Sequence, residues 1–436
     1  MGSSQRPNIV FIFSDQQRWD TLGCYGNDLD LTPTLDEMAE EGVRFDQAFT
    51  AQPVCGPARC CLQTGQYPTS AGCFRNGIPL PLDATTLAHR FKDVGYEVAY
   101  IGKWHLAGTR DEPVPEEKRG GWTDFWLGAD LLEFTSSPYG GGYFDANNEF
   151  VPFDGYRVDS QTDHVLQYLQ TRQGAEPFFL FISYLEPHHQ NDQNRYVAPK
   201  GYAERYADYK PPKDLVGHEG DWQENLPDYY GICANLDENV GRIQETLKQL
   251  NLAEDTVVFY TSDHGSHFRT RNSEYKRSCH EASIHIPMIA WGPGFHRGTV
   301  VHDLVSLVDL PPTLLELGGI EIPDDFHGRS LIPLVEGEAE EWPEEVFVQI
   351  SESQVGRALR TKRWKYCVDA PDADGWDDPD SQVYEEQYLY DLEADPHEQN
   401  NLIGDPRYRA TANELAEILV HRMVAAGEEA PRIIRK

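Results

Sequence analysis

Basic residues are scarce in this 436-residue chain: 37 Lys and Arg stand against 72 Asp and Glu, a formal charge of −35. Such a field repels phosphate backbones and anionic membrane surfaces, so neither nucleic acid nor a membrane is expected as a partner. An anionic small molecule would be held only where a few cations build a locally positive site. Cysteines number eight and none form a C-x-x-C pair, which argues against a disulfide scaffold or a zinc ribbon. No apolar run is long enough to span a membrane, and the early NIVFIF is too short for the core of a signal peptide. As written, the chain is expected to be soluble and unexported, and periplasmic or secreted if a leader was removed.

Short apolar runs alternate with helical patterns, which indicates a sheet wound with helices on both faces. Strands are expected at 8–15, 97–105, 177–189, 256–265 and 286–294, and helices at 32–45 and 228–250. The first of these helices has Thr32 as N-cap and Pro33 in its first turn. Four of the five runs end in ionisable residues: Asp15, then Lys103 and His105, then His188, then Asp263 and His264. In open parallel sheets ligands bind beyond the carboxyl ends of the strands, so these side chains should converge in one crevice. From about 345 the texture changes to alternating runs that suggest an antiparallel meander, followed by an Asp-rich loop at 369–383 and a helix at 411–427. The expected fold is α/β: a large doubly wound mixed sheet over 1–345, and a smaller C-terminal α+β subdomain with an antiparallel sheet over 346–436.

The segment PVCGPARCCLQTG, 53–65, puts Cys55, Cys60 and Cys61 beside Arg59 and two prolines. A metal clip, a disulfide and a nucleophile are all open to three such thiols. Pro57 suits the first turn of a helix, which sets Cys55 at or just before the N-cap, where a thiol pKa is expected to fall and backbone N–H groups face an anion. The pattern C-x-P-x-R, continued as CCLQTG, resembles the signature of type I sulfatases of the alkaline phosphatase superfamily. The segments SDQQ, TPTLDEMAEEGVRFDQAF, GKWHL, TSDHG, GRSL and LYDLEADPHEQNNL resemble that family's landmarks in their usual order, over nearly the whole chain.

The resemblance implies hydrolysis of an organic sulfate ester, with a sulfated sugar or oligosaccharide as the expected substrate. It also implies that a separate formylglycine-generating enzyme converts Cys55 to formylglycine, whose hydrate attacks sulfur with one hydroxyl and releases sulfate through the other. By family position Asp15, Gln16, Asp263 and His264 hold a divalent cation together with the formylglycine oxygen from Cys55. Oxygen-rich ligation favours Ca²⁺, with Mn²⁺ or Mg²⁺ possible because Gln16 and His264 stand where many relatives carry Asp and Asn. The same resemblance gives Lys103 and Lys276 to the sulfate, His105 to the formylglycine hydroxyl, Arg59 to its orientation and His188 to protonation of the leaving alcohol. Arg75 and His280 are expected on the substrate side, and the polar loop at 188–202 along a sugar pocket. Two rivals stand beside this: a phosphonate monoester or phosphodiester hydrolase on the same scaffold, suggested by Gln16 and His264, and a non-catalytic binding protein of the same fold.

Overall fold

Residues 6–174, 176–295 and 297–436 are described by the structure, a computed structural model. Its first strand, β1 (Asn8–Ser14), feeds two cores: Ile9, Phe11 and Phe13 pack into one, Val10 and Ile12 into the other. A strand apolar on both faces belongs inside a sheet that helices cover on both sides. β1 is central in a ten-stranded mixed sheet with β2 (Val43–Phe49), β3 (Glu97–Lys103), β4 (Phe125–Ala129), β5 (Tyr139–Asp145), β6 (Phe150–Tyr156), β7 (Phe178–Ser183), β8 (Thr256–Ser262), β9 (Met288–Trp291) and β10 (Thr299–Ser306). The spatial order is β10-β2-β9-β8-β1-β7-β3-β4-β5-β6. Strands β8, β1, β7, β3 and β4 form a continuous parallel block, whereas β5 and β9 pair antiparallel with their neighbours.

Helices Pro33–Glu41, Arg157–Gln170 and Trp222–Gln249 bury Leu35, Val165, Leu169, Val240 and Ile243 on one face of the sheet. Helices Cys55–Thr64, Leu87–Asp93 and Leu310–Leu317 bury Ala58, Cys60, Phe91 and Leu314 on the other. A second sheet follows, with β11 (Glu345–Ile350), β12 (Gly356–Thr361), β13 (Trp364–Asp369) and β14 (Val383–Asp391) antiparallel in sequence order and β15 (Arg432–Ile434) parallel to β14. Helix Arg409–Ala425 covers it through Leu415, Leu419 and Met423. The two sheets meet where Phe49, Ile284 and Leu304 pack on Val346, Val348 and Cys367. No helix among the described residues is long and apolar enough to cross a membrane.

Several expected boundaries move: the strands expected to reach 105 and 189 end at Lys103 and Ser183, and the helix expected over 411–427 runs Arg409–Ala425. The helix predicted over 32–45 stops at Glu41, and Gly42 hands the chain to β2, because a side chain at Gly42 would meet the Ala290 carbonyl at 2.3 Å. The helix predicted from 228 begins at Trp222 and contains Pro227. Strands β2, β4, β5, β6 and β10 go beyond the expected five, since runs such as VRFDQAF and YGGGYFD carry too much polar or glycine content to read as core strands.

Gly102 sits at φ +118 in β3, next to Lys103, and a Cβ there would lie 1.9 Å from the Ser183 carbonyl oxygen. That oxygen belongs to the backbone of β7 and cannot swing aside, and the left-handed conformation adds its own strain. Gly102→Ala is therefore expected to destabilise the protein by about 3 kcal/mol, read as a lower midpoint of chemical denaturation. An unchanged midpoint would contradict the tight pairing of β3 with β7.

Candidate active site

Four adjacent strand ends deliver the expected side chains to one place. β1 runs into Asp15 and Gln16, β8 into Asp263 and His264, β3 ends on Lys103, and β7 leads through Ser183 to His188. Helix Cys55–Thr64 enters from beside them, with every one of its residues buried and extended Val54 as its N-cap. Cys55 thus lies one residue inside the expected position, as the first residue of the helix, and the Gly56 N–H behind it donates to Asn76 Oδ1 at 2.9 Å. Cys60 and Cys61 turn away into the apolar packing of the two sides of the helix.

Cys55 Sγ is the hub. Lys276 Nζ lies 2.7 Å from it, His264 Nε2 3.3 Å and Asp15 Oδ1 3.4 Å. Lys276 Nζ also reaches His264 Nε2 at 3.2 Å. Asp15 Oδ2 accepts from Lys103 Nζ at 2.9 Å and from Arg59 Nη2 at 3.1 Å. Arg59 then ties three elements together, donating through Nη1 to the Lys103 carbonyl at 3.0 Å and to Ser183 Oγ at 2.6 Å. The loop that carries His188 is fixed by a buried ion pair between Arg157 and Glu186 at 2.8 Å. His188 Nδ1 pairs with the His189 carbonyl at 2.6 Å, so its Nε2 faces inward, 3.5 Å from the Tyr275 hydroxyl. His105 and Gln16 both take left-handed backbone, at φ +59 and +71, a strain of about 1–3 kcal/mol each that the surrounding packing sustains.

Burial governs the titration of these groups, and nearby charges divide them. For Asp15, burial opposes ionisation, but Lys103, Arg59 and Lys276 overcome it and hold the carboxyl well below its usual range. For Asp263, burial and then the charge of Asp15 push the carboxyl up to about 7. Burial keeps His105, His188 and His264 neutral, helped by the neighbouring lysines. The thiol of Cys55 corrects the expectation from its helix position: burial and the Asp15 charge raise it to about 12, outweighing Lys276 and Lys103. It is a neutral thiol, not a thiolate nucleophile.

Asp15, Cys55, Asp263 and His264 each offer a ligand atom, and these atoms all lie within 4.8 Å of one another. Their chemistry fits a divalent cation. Asp263 Oδ2 is buried without a hydrogen-bond partner, and one of the two carboxylates cannot ionise fully until a positive charge arrives. His264 Nδ1 pairs with the Gly265 carbonyl at 2.9 Å, which leaves Nε2 as the ligand nitrogen. Gln16 has its amide nitrogen anchored by Tyr196 and Ser266, and its Oε1 accepts only a 3.5 Å bond from the His189 N–H.

The two residues expected on the substrate side are not in this cluster. His280 is buried between the sheets, with Ser278 Oγ at 3.3 Å, the Tyr390 hydroxyl at 3.2 Å and the ring of Tyr388 beside it, so both ring nitrogens are engaged there. Arg75 is half-buried, its guanidinium 4.8 Å from the ring of Trp376, which is 46% exposed. In the polar loop at 188–202, Tyr196 is buried and holds Gln16, while residues 191–195 are exposed. Asn76, Ser183 and Tyr275 escaped the sequence. Ser183 could have been found at the end of its strand, but Asn76 and Tyr275 carry no local pattern that marks them.

The sulfatase profile matches residues 7–320, and the profile of the N-sulphoglucosamine sulphohydrolase C-terminal region matches 273–425. The chain is 31% identical to an ulvan-active sulfatase of Formosa agariphila over 97% of its own length and 82% of that protein's. A structure solved in complex with its substrate, D-glucosamine-2-N,6-O-disulfate, superposes with a TM-score of 0.84 over 98% of this chain and 99% of that one, at 23% identity. The phosphonate monoester hydrolase of Agrobacterium radiobacter shares the fold at a TM-score of 0.75 and 23% identity, over 97% of this chain and 96% of that one. With both profiles and a full-length relative in agreement with the residues converging on Cys55, the chain belongs to the sulfatase family and is a sulfuric ester hydrolase.

Proposed function

We propose that the chain hydrolyses a sulfate ester on a carbohydrate, at Cys55, after that residue has been converted to formylglycine by a maturing enzyme. One observation carries this: the Cys55 side chain stands at the point shared by the four-residue ligand cluster and Lys276, yet its thiol is held neutral. An unmodified thiol there is a poor nucleophile, whereas an aldehyde hydrate would present one hydroxyl to sulfur and keep a second for release of sulfate. The ulvan-active relative and the neighbour bound to a disulfated glucosamine support a sulfated carbohydrate as the substrate.

In this scheme Asp15, Gln16, Asp263, His264 and the oxygen at position 55 hold the cation, assigned as Ca²⁺ with Mn²⁺ or Mg²⁺ as alternatives. Such an ion, when bound, neutralises sulfate oxygens and lowers the pKa of the attacking hydroxyl. Lys103 and Lys276 receive the sulfate from two sides. Arg59 keeps Asp15 and the ends of β3 and β7 in register. His105, whose Nδ1 is buried without a partner, steadies the hydrate. His188 presents Nε2 to the leaving oxygen; it is neutral in the free site, and the negative charge of a bound sulfate ester raises its pKa so that Nε2 takes a proton from solvent and then gives it to the leaving oxygen. Arg75 and Trp376 form a rim for the rest of the sugar. A boundary between catalytic and C-terminal parts at 345–346 belongs to the same proposal, supported by the change of sheet between β10 and β11.

The direct test is mass spectrometry of the peptide spanning 53–65, from a host that has the maturing enzyme. Cys55 is expected to carry the aldehyde while Cys60 and Cys61 remain thiols. Cys55→Ala should abolish sulfate release, and Cys60→Ala should retain most of it; an active protein with its aldehyde elsewhere overturns the assignment. Running the same preparation on an aryl phosphonate and an aryl phosphodiester separates the rival hydrolase, which requires the larger kcat/KM on one of those.

A second expectation concerns the cation. Asp263→Ala should lose bound metal by elemental analysis and lose turnover, with the folded state intact by circular dichroism. Because the Asp263 carboxyl of the free site sits near 7, cation uptake at pH 6 must displace a proton that is largely gone at pH 8. Calorimetry in two buffers of different ionisation enthalpy should therefore find more protons released at pH 6 than at pH 8. Equal release at both would contradict the placement of Asp263 in the cation site.

A further inference from the structure

Lys103 has a second carboxylate at hand. The short helix Leu132–Thr135 follows β4, the neighbour of β3, and brings Glu133 Oε1 to 3.5 Å from Lys103 Nζ. The lysine is already paired with Asp15 Oδ2 at 2.9 Å, so its own neutralisation does not call for Glu133. The other oxygen of Glu133, Oε2, is buried and has no hydrogen-bond partner, and the side chain as a whole is 8% exposed. A carboxylate oxygen withdrawn from water and left unpaired is costly, and one placed beside a lysine that receives an anion also works against that anion. Both costs are offset if a donor from the substrate fills the position.

The surroundings of Glu133 are well ordered by hydrogen bonds on one side and open to solvent on the other. Asp130 pins the loop after His105, accepting from the N–H groups of Ala107, Thr109 and Arg110 at 2.8–3.0 Å. Arg110 then lies over the ring of Phe134, 5.1 Å from its centroid, and that ring is 52% exposed. Glu133 thus stands between buried Lys103 and the exposed aromatic surface of its neighbour Phe134. We propose that Glu133 Oε2 accepts a hydrogen bond from a hydroxyl on the carbon next to the one that bears the sulfate ester, and thereby selects esters with a neutral vicinal hydroxyl over esters with a second anion there. This rests on Lys103 as a sulfate-binding residue in the function proposed above. A hydroxyl on the adjacent carbon is close to the ester oxygen, which matches the close approach of Glu133 to Lys103. A second sulfate or a carboxylate at that carbon would face Glu133 as a like charge.

Phenyl sulfate and 2-hydroxyphenyl sulfate differ by that one hydroxyl and isolate its contribution. With formylglycine-bearing enzyme, kcat/KM is expected to favour 2-hydroxyphenyl sulfate by at least about tenfold, since a site built to bind a hydroxyl discriminates against the analogue that lacks it. Glu133→Ala should bring the ratio close to one, and the isosteric Glu133→Gln, which keeps the packing and a weaker acceptor, should give an intermediate ratio. If Glu133 only tunes Lys103, its substitution would change both rates by the same factor and leave the ratio unchanged, and that result overturns the proposal, as does a wild-type ratio near one. Failure of the wild-type enzyme to release sulfate from either ester would remove the proposed reaction itself, and this inference with it.

Discussion

Everything at this site depends on keeping one buried carboxylate charged. Asp15 has no access to water, and an ionised group in that position is stable only if cations and hydrogen bonds reach it from the protein. Lys103 arrives from the end of β3, and Arg59 from one turn along the helix that begins at Cys55. Because Arg59 also binds the Lys103 carbonyl and Ser183 Oγ, compensation of Asp15 holds β1, β3, β7 and the helix in one arrangement. The second carboxylate, Asp263, is what remains after the cations have been spent on Asp15. Its Oδ2 is left buried without a hydrogen-bond partner, which is why the proposed cation site is placed there.

Much of this was visible in the sequence, for a physical reason. Strands buried on both faces are continuous apolar runs, so β1, β3, β7 and β8 stand out, and the polar residues that end them mark the carboxyl edge. What escaped depends on distance in space. The thiol of Cys55 was expected to be acidified by the helix start, but its pKa is set by burial under four strand ends, which no local pattern reveals. His280 was expected near the substrate because of its chain position, yet docking of the second sheet gives it Tyr388 and Tyr390 as neighbours. Glu133 looked like one acidic residue among 72, and only the pairing of β3 with β4 brings it to Lys103.

The charge of the chain and the charge of the site have opposite signs. The acidic excess is carried broadly, while Arg59, Lys103 and Lys276 are each 2% exposed or less and act over short distances in a poorly screened interior. Attraction of an anion is thus confined to the last few ångströms of approach. The second sheet contributes to that confinement: Lys365 pairs with Glu281 and Glu398, and Arg277, next to Lys276, pairs with Glu352 at 2.5 Å. These buried and half-buried pairs anchor the C-terminal part against the segment that carries Lys276.

The helix Cys55–Thr64 is buried along its whole length, and Cys55 itself is 1% exposed. Any enzyme that alters that side chain needs the surrounding segment in its own active site, which the finished fold does not permit. If Cys55 is converted as proposed, that conversion would compete in time with closure of the sheet around it. A molecule that folded before it was visited would then keep its thiol. Under that proposal the yield of active protein would be set by two competing rates, and a substitution that speeds folding without touching the site would lower it while making more molecules well folded.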